Sequence, residues 1–109
     1  MKADNPMSDL FTSREVAECA GKLHSHARLA ARLAVKEAFL KAAGIGLHSG
    51  LLFKDIEVIN QVSGSQQLRI SKRLCDLTGV TDTEACLVSS AFTDTLACAV
   101  VTLKGKGTE

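Results

Sequence analysis

The stretch from residue 25 to residue 43 limits the fold of this chain more than any other part of it. Its centre reads Arg28-Leu29-Ala30-Ala31-Arg32-Leu33-Ala34-Val35-Lys36-Glu37-Ala38-Phe39-Leu40-Lys41-Ala42-Ala43, and Gly44 follows. The pattern predicts one long helix over about 25–43. At about 100° per residue, Leu29, Leu33 and Leu40 share one face, and Ala31, Ala34, Ala38 and Ala42 cover much of the opposite side. A helix that is apolar nearly all round is an internal one, so the other elements must pack around it. Its charged residues are then informative. Lys36 falls in the middle of the leucine stripe, Glu37 lies beside it, and Lys41 sits one turn after Glu37. Arg28, Arg32 and Lys36 form an i, i+4, i+8 row. A buried charge costs several kcal/mol unless it is paired or binds something. Two readings are open. One is a Glu37–Lys41 surface ion pair worth about 0.3–0.5 kcal/mol, with the long side chains snorkelling outward. The other is a set of groups that holds a ligand.

The flanking segments carry strong local signals. Thr12 can cap a helix while Glu15 reaches back to the Thr12 N–H, and Phe11 and Val16 occupy the two staple positions. This predicts a short helix over about 13–20, stopped at Gly21. Gly44 to Gly50 reads as a flexible loop. Phe53 to Val62 reads as a strand, Ser63-Gly64-Ser65 as a turn, and Gln67 to Ile70 as the returning strand. Ser71 to Thr78 is a short helix closed by Gly79. Two last strands, about 85–90 and 96–103, are joined through Phe92-Thr93-Asp94-Thr95 as an antiparallel hairpin. The fold class is α+β, with an antiparallel sheet of about three to five strands packed on the long helix. A chain of 109 residues supports one core. Residues 1–10 read as a flexible N-terminus, 11–103 as a single domain and 104–109 as a flexible tail.

Composition removes several functions. Lys plus Arg number 13 against 12 Asp plus Glu, a net charge of +1, without the basic excess of a nucleic-acid surface. Aromatics are 4%, with no Trp or Tyr to stack bases. No apolar run approaches the roughly 18 residues of a membrane span. The start, Met1-Lys2-Ala3-Asp4-Asn5-Pro6, leads into no apolar signal-peptide core. The four cysteines form no CxxC pair and read as free thiols in a reducing cytosol. No cysteine pairs with His24 or His26 at zinc-site spacing, so a transition metal is not expected. A different cation fits Lys36-Glu37 and Lys41, on a helix that runs into a Gly-rich loop. Mg²⁺ takes few protein oxygens and completes its shell with phosphate oxygens and water, while lysines suit the same phosphates. The constellation points to a metal–diphosphate ligand.

The segment Arg32 to Gly44 resembles the KEAxxKAxG helix of holo-acyl-carrier-protein synthases, small 4′-phosphopantetheinyl transferases. Phe11-Thr12-Ser13-Arg14-Glu15 with Cys19 is similar to their FTxxE…C segment, and Phe53 to Val58 to the strand after the loop. Ser63-Gly64-Ser65-Gln66 stands where they often carry a Gly-x-Pro turn. Val88-Ser89-Ser90-Ala91-Phe92 with Ala97 and Ala99 looks like their closing VSxSHxxxxAxA hairpin. The resemblance spans about residues 11–103. It departs at Phe92 in place of the hairpin His, Ala91 in place of a Ser, Gln66 in place of the turn Pro, and in the stretch before Phe11, which has no Gly-x-Asp strand.

The resemblance implies a 4′-phosphopantetheinyl transferase-like fold and a cytoplasmic, Mg²⁺-dependent transfer of 4′-phosphopantetheine from coenzyme A to a serine of an acyl carrier protein, serving fatty acid biosynthesis. It implies Glu37 as the metal ligand, and Lys41, Lys36 and Arg32 as the cations that balance phosphate charge. Glu37 and Lys41 become the catalytic pair. Ser63, in the 63–66 turn, and Ser89 are placed near the nucleotide. It also implies a homotrimer with sites at subunit interfaces. The departures leave a second reading open, a relative that binds coenzyme A or acts as an interaction protein without turnover.

Overall fold

In the computed structural model, residues 6–45, 53–80 and 86–103 are described. The first strong local signal forms as the sequence dictates. Thr12 Oγ1 accepts from the Glu15 N–H at 3.2 Å, and Glu15 Oε1 accepts from the Thr12 N–H at 2.9 Å. This reciprocal box starts helix α2, Ser13–Cys19. It is preceded by a one-turn helix α1, Pro6–Leu10, where a loose terminus was expected. The reason is tertiary: the Leu10 carbonyl accepts from Lys36 Nζ at 2.7 Å, which fastens the end of α1 to the long helix. Residues 1–5 and the expected tail 104–109 lie outside the described residues, as does the 44–50 loop beyond Ile45.

Helix α3 spans Ser25–Ala42. Its N-cap, His24, has φ 59°, in the left-handed region, and makes no side-chain cap bond. Gly44, at φ +76°, closes it in the conformation that glycine adopts most easily. The leucine stripe divides between two clusters. Leu29 and the partly buried Leu33 pack with Phe11 and Cys19. Val35, Phe39 and Leu40 pack with Ile56, Val58, Leu68, Leu74 and Cys86, the main core.

Strand β1, Ile56–Asn60, pairs antiparallel with β2, Gln66–Ile70, in register from Ile56↔Ile70 to Asn60↔Gln66. The expected start of β1 is instead a 3₁₀ turn, Phe53–Asp55. Helix α4, Lys72–Thr78, begins where Ser71 Oγ accepts from the Leu74 N–H at 3.1 Å. Ser71→Ala should cost about 0.5–2 kcal/mol and Ser71→Gly only a few tenths, read from urea midpoints. A loss well below about 0.5 kcal/mol for Ser71→Ala would mean that the cap bond contributes little.

Strands β3, Cys86–Phe92, and β4, Ala97–Leu103, form the second hairpin, in register from Cys86↔Leu103 to Phe92↔Ala97. The strands do not merge into one ladder: there are two two-stranded sheets among the described residues. Side chains bridge them, with Ser90 Oγ donating to Gln66 Oε1 at 2.7 Å. The inner face of the β3–β4 hairpin packs across α3. Its outer face carries Leu87, Ser89 and Ala91 opposite Thr102, Val100 and Cys98, and Leu87 and Val100 are 69% and 65% exposed.

Candidate active site

Lys36 and Glu37 are neighbours on α3 with opposite environments. Lys36 is 0% exposed. Its Nζ donates to Glu15 Oε1 at 2.7 Å and to the Leu10 carbonyl at 2.7 Å, and it lies 5.1 Å from the centroid of the Phe11 ring. Desolvation lowers its pKa from the ordinary lysine value, and the Glu15 carboxylate opposes that shift. The expectation that Lys36 balances phosphate charge is therefore corrected. Its ammonium is internal, its donors face protein oxygens, and a ligand outside cannot reach it.

Glu15 is equally buried. Besides Lys36 and the Thr12 N–H, it accepts from the Val58 N–H through Oε2 at 2.8 Å. Thr12 Oγ1 in turn donates to Glu57 Oε2 at 2.7 Å. The capping box thus serves a second purpose: one carboxylate joins α2, α3 and β1.

Glu37 and Lys41 are exposed, one turn apart. Neither forms an ion pair with another described residue, so the Glu37–Lys41 pair considered from sequence is not made. Both are free to meet a ligand.

A second group of expected residues gathers elsewhere. A cleft of about 620 Å³ lies among α3, the β1–β2 turn and β3, and Arg32 and Ser89 both line it. Ser63 is exposed on that turn, beside the cleft-lining Gly64, Ser65 and Gln66. Within one chain Glu37 and Lys41 do not line the cleft. Lys22 and Arg28 add positive charge to it, and the single carboxylate there is Glu18. Arg28 Nε donates to the Leu23 carbonyl at 2.8 Å, and its guanidinium lies 5.3 Å from the centroid of the Phe92 ring. Phe92 thus stands where the resemblance expected a His, and it seats a cation. Arg32 is 4% exposed, and its Nη1 pairs with Glu18 Oε1 at 3.0 Å. The cleft suits an anion by charge. Lys22 and Arg28 were not singled out as site residues. The Arg28–Arg32–Lys36 row signals one of them, whereas Lys22 lacks any local signal.

Burial raises the Glu18 carboxyl, but hydrogen bonds from Arg14 and Arg32 outweigh it and hold the pKa below the ordinary glutamate value. A depressed carboxylate stabilises the fold above its unfolded pKa, and that contribution is lost as pH falls through the folded value. The loss is therefore expected below the usual glutamate range. Glu18→Gln should flatten the acid limb of stability against pH, read from melts at stepped pH. An unchanged limb would remove Glu18 from that role.

No group of three or more His, Cys, Asp or Glu among the described residues could hold a metal ion. Among the described residues Glu37 would therefore hold Mg²⁺ as a single carboxylate, with phosphate oxygens and water completing its shell.

The chain matches the family model of the 4′-phosphopantetheinyl transferase superfamily over residues 2–101. It is 41% identical over 95 residues to the holo-[acyl-carrier-protein] synthase of Geobacter metallireducens, an alignment that covers 87% of this chain and 75% of that protein. The crystal structure of the Helicobacter pylori holo-[acyl-carrier-protein] synthase in complex with coenzyme A superposes with a TM-score of 0.74 at 24% identity, over 90% of this chain and 80% of that one. The Neisseria meningitidis enzyme of the same name gives 0.69 at 25% identity, over 87% and 76%. Fold, motif order and the extent of the matched sequence agree, and this chain belongs to the 4′-phosphopantetheinyl transferase superfamily.

Proposed function

We propose that this chain transfers 4′-phosphopantetheine from coenzyme A to a serine hydroxyl of an acyl carrier protein. The observation that carries the reading is the exposed, unpaired Glu37 and Lys41 on α3, in a chain that matches holo-[acyl-carrier-protein] synthases over most of both lengths. In the reaction the serine oxygen bonds to the β-phosphorus of coenzyme A. The bond from that phosphorus to the bridging oxygen breaks, 3′,5′-ADP leaves with the electron pair, and the serine proton passes to solvent. Little covalent work falls to the protein, so stabilising the developing charge is its main task. Glu37 would hold Mg²⁺, which would supply positive charge against the diphosphate. Lys41 contributes a second positive charge one turn away. The cleft with Arg32 and Ser89, bordered by the Ser63 turn, takes the anionic nucleotide end. Its charge supports this assignment, and Lys22 and Arg28 reinforce it.

The apolar outer face of the β3–β4 hairpin belongs to a contact between copies, in a homotrimer. Exposed Leu87 and Val100 on adjacent strands support a subunit contact. Light scattering should give three times the chain mass, and a monomer at every concentration would exclude it. The four free cysteines fit a reducing compartment, the cytoplasm, and no helix among the described residues is long and apolar enough to cross a membrane. The carrier protein so modified would serve fatty acid biosynthesis.

The test is incubation with coenzyme A, Mg²⁺ and a panel of apo-carrier proteins, read by intact mass. One added phosphopantetheine per carrier protein is the expected result. No mass gain with any carrier, together with retained coenzyme A binding, would leave a binding protein without transferase activity.

A further inference from the structure

We infer that the buried Glu15–Lys36 pair positions α3 for the proposed transfer, by fixing the rotation that turns Glu37 and Lys41 outward together. The inference rests on the function proposed above and concerns residues outside the ligand's reach. A buried ion pair is poor evidence for stability, because apolar residues of similar size often serve as well or better. What an ion pair adds is direction. Lys36 Nζ has two fixed oxygen partners, on Glu15 and Leu10, each at 2.7 Å. The Glu15 carboxylate is itself held by the Thr12 and Val58 N–H groups at 2.9 and 2.8 Å. Two of these four bonds tie α3 to Glu15 and Leu10, and the other two hold the Glu15 carboxylate in place to receive it. Successive helical residues differ by about 100°, so pinning Lys36 inward also sets the direction of Glu37 and, one turn on, of Lys41.

The N-terminus of α3 offers no substitute for this anchor, because His24 makes no cap bond. The Arg32–Glu18 pair one turn earlier is weaker support, since the Glu18 side chain is 29% exposed. An apolar side chain at position 36 would fill the volume but give α3 no directional bond to Glu15 or Leu10, leaving its rotation to the non-directional packing of Val35, Phe39 and Leu40.

The test uses the full-length protein with Lys36→Met and with the double variant Glu15→Gln/Lys36→Met. The double variant buries no unpaired charge, so it should cost less than the single variant, although the glutamine amide nitrogen can no longer accept from one of the two backbone donors. Folding is checked by cooperative melts. With apo-carrier protein, coenzyme A and saturating Mg²⁺, kcat should fall about tenfold or more, as small misplacements of reacting groups do, while KM for coenzyme A stays within about threefold. In ¹⁵N spectra without ligand, the amides of Glu37 to Lys41 should shift in Glu15→Gln alone, where no residue of α3 is changed, as well as in the double variant. A folded double variant with kcat within about twofold of wild type would overturn the inference. So would a lower kcat with unmoved Glu37–Lys41 amides. If the wild type transfers nothing, the proposed function fails, and the amide shifts alone decide whether the pair sets the helix.

Discussion

Glu15→Ala is expected to destabilise the domain by about 3–5 kcal/mol, one of the largest single-residue effects in this protein. The substitution removes a carboxylate that is 0% exposed and leaves the Lys36 ammonium, also 0% exposed, without its counter-charge. It also strips the acceptor from the Val58 N–H inside the core and from the Thr12 N–H at the start of α2. Each buried donor left unsatisfied adds about 1–3 kcal/mol, although the contributions within one network do not sum. Urea unfolding should show a lower midpoint at unchanged slope. Lys36→Met should cost less, because the carboxylate keeps two backbone donors. A loss below about 1 kcal/mol for Glu15→Ala would mean that Lys36 finds water on relaxation and that the site is not dry.

Glu37→Gln should have the opposite profile. Glu37 is exposed and makes no ion pair with a described residue, so stability should stay within about 0.5 kcal/mol of wild type. Transfer should fall about 10²-fold or more in kcat/KM, the usual loss when a group that stabilises transition-state charge is removed. The effect should persist at saturating carrier protein. An intact-mass time course beside a urea titration reads both quantities on one preparation. If transfer is unchanged, Glu37 is not the metal ligand, and the proposed role of its carboxylate fails. Lys36 and Glu37, adjacent on α3, would then differ in kind: the first acts through its buried pair with Glu15, the second on the ligand itself.

The contrast between these neighbours also marks what periodicity can reveal. A helical wheel placed Lys36 in an apolar stripe and warned that its charge needed a partner, without naming one. The resemblance offered coenzyme A phosphate as that partner, whereas the structure supplies Glu15, 21 residues away in sequence. Lys41 and Glu37 were legible as a pair on one side of the helix because i, i+4 spacing alone brings them together. Arg32 and Ser89 were legible as polar residues, but their meeting in one cleft was not, since it depends on how β3 lies against α3. The split of the leucine stripe, with Leu29 and Leu33 toward Phe11 and Leu40 toward Ile56, was likewise hidden. Both clusters present the same apolar periodicity.

The sequence by itself determined most of the elements and several of their ends, though not α1 or the 3₁₀ turn ahead of β1. Thr12, Ser71, Gly44 and Gly79 act through bonds and φ angles within a few residues, so their effects can be read locally. It also determined the family, through the motif on α3 and the order of its neighbours. Tertiary structure alone decided that the capping glutamate of α2 would neutralise a lysine of α3 and hold the Val58 N–H of β1, 43 residues on. It alone decided that the strands of the described residues would close as two ladders instead of one. The physical reason is the same in each case. Local signals come from geometry repeated along the chain, whereas the partner of a buried charge or a sheet edge is chosen by which distant group can satisfy it once water is excluded.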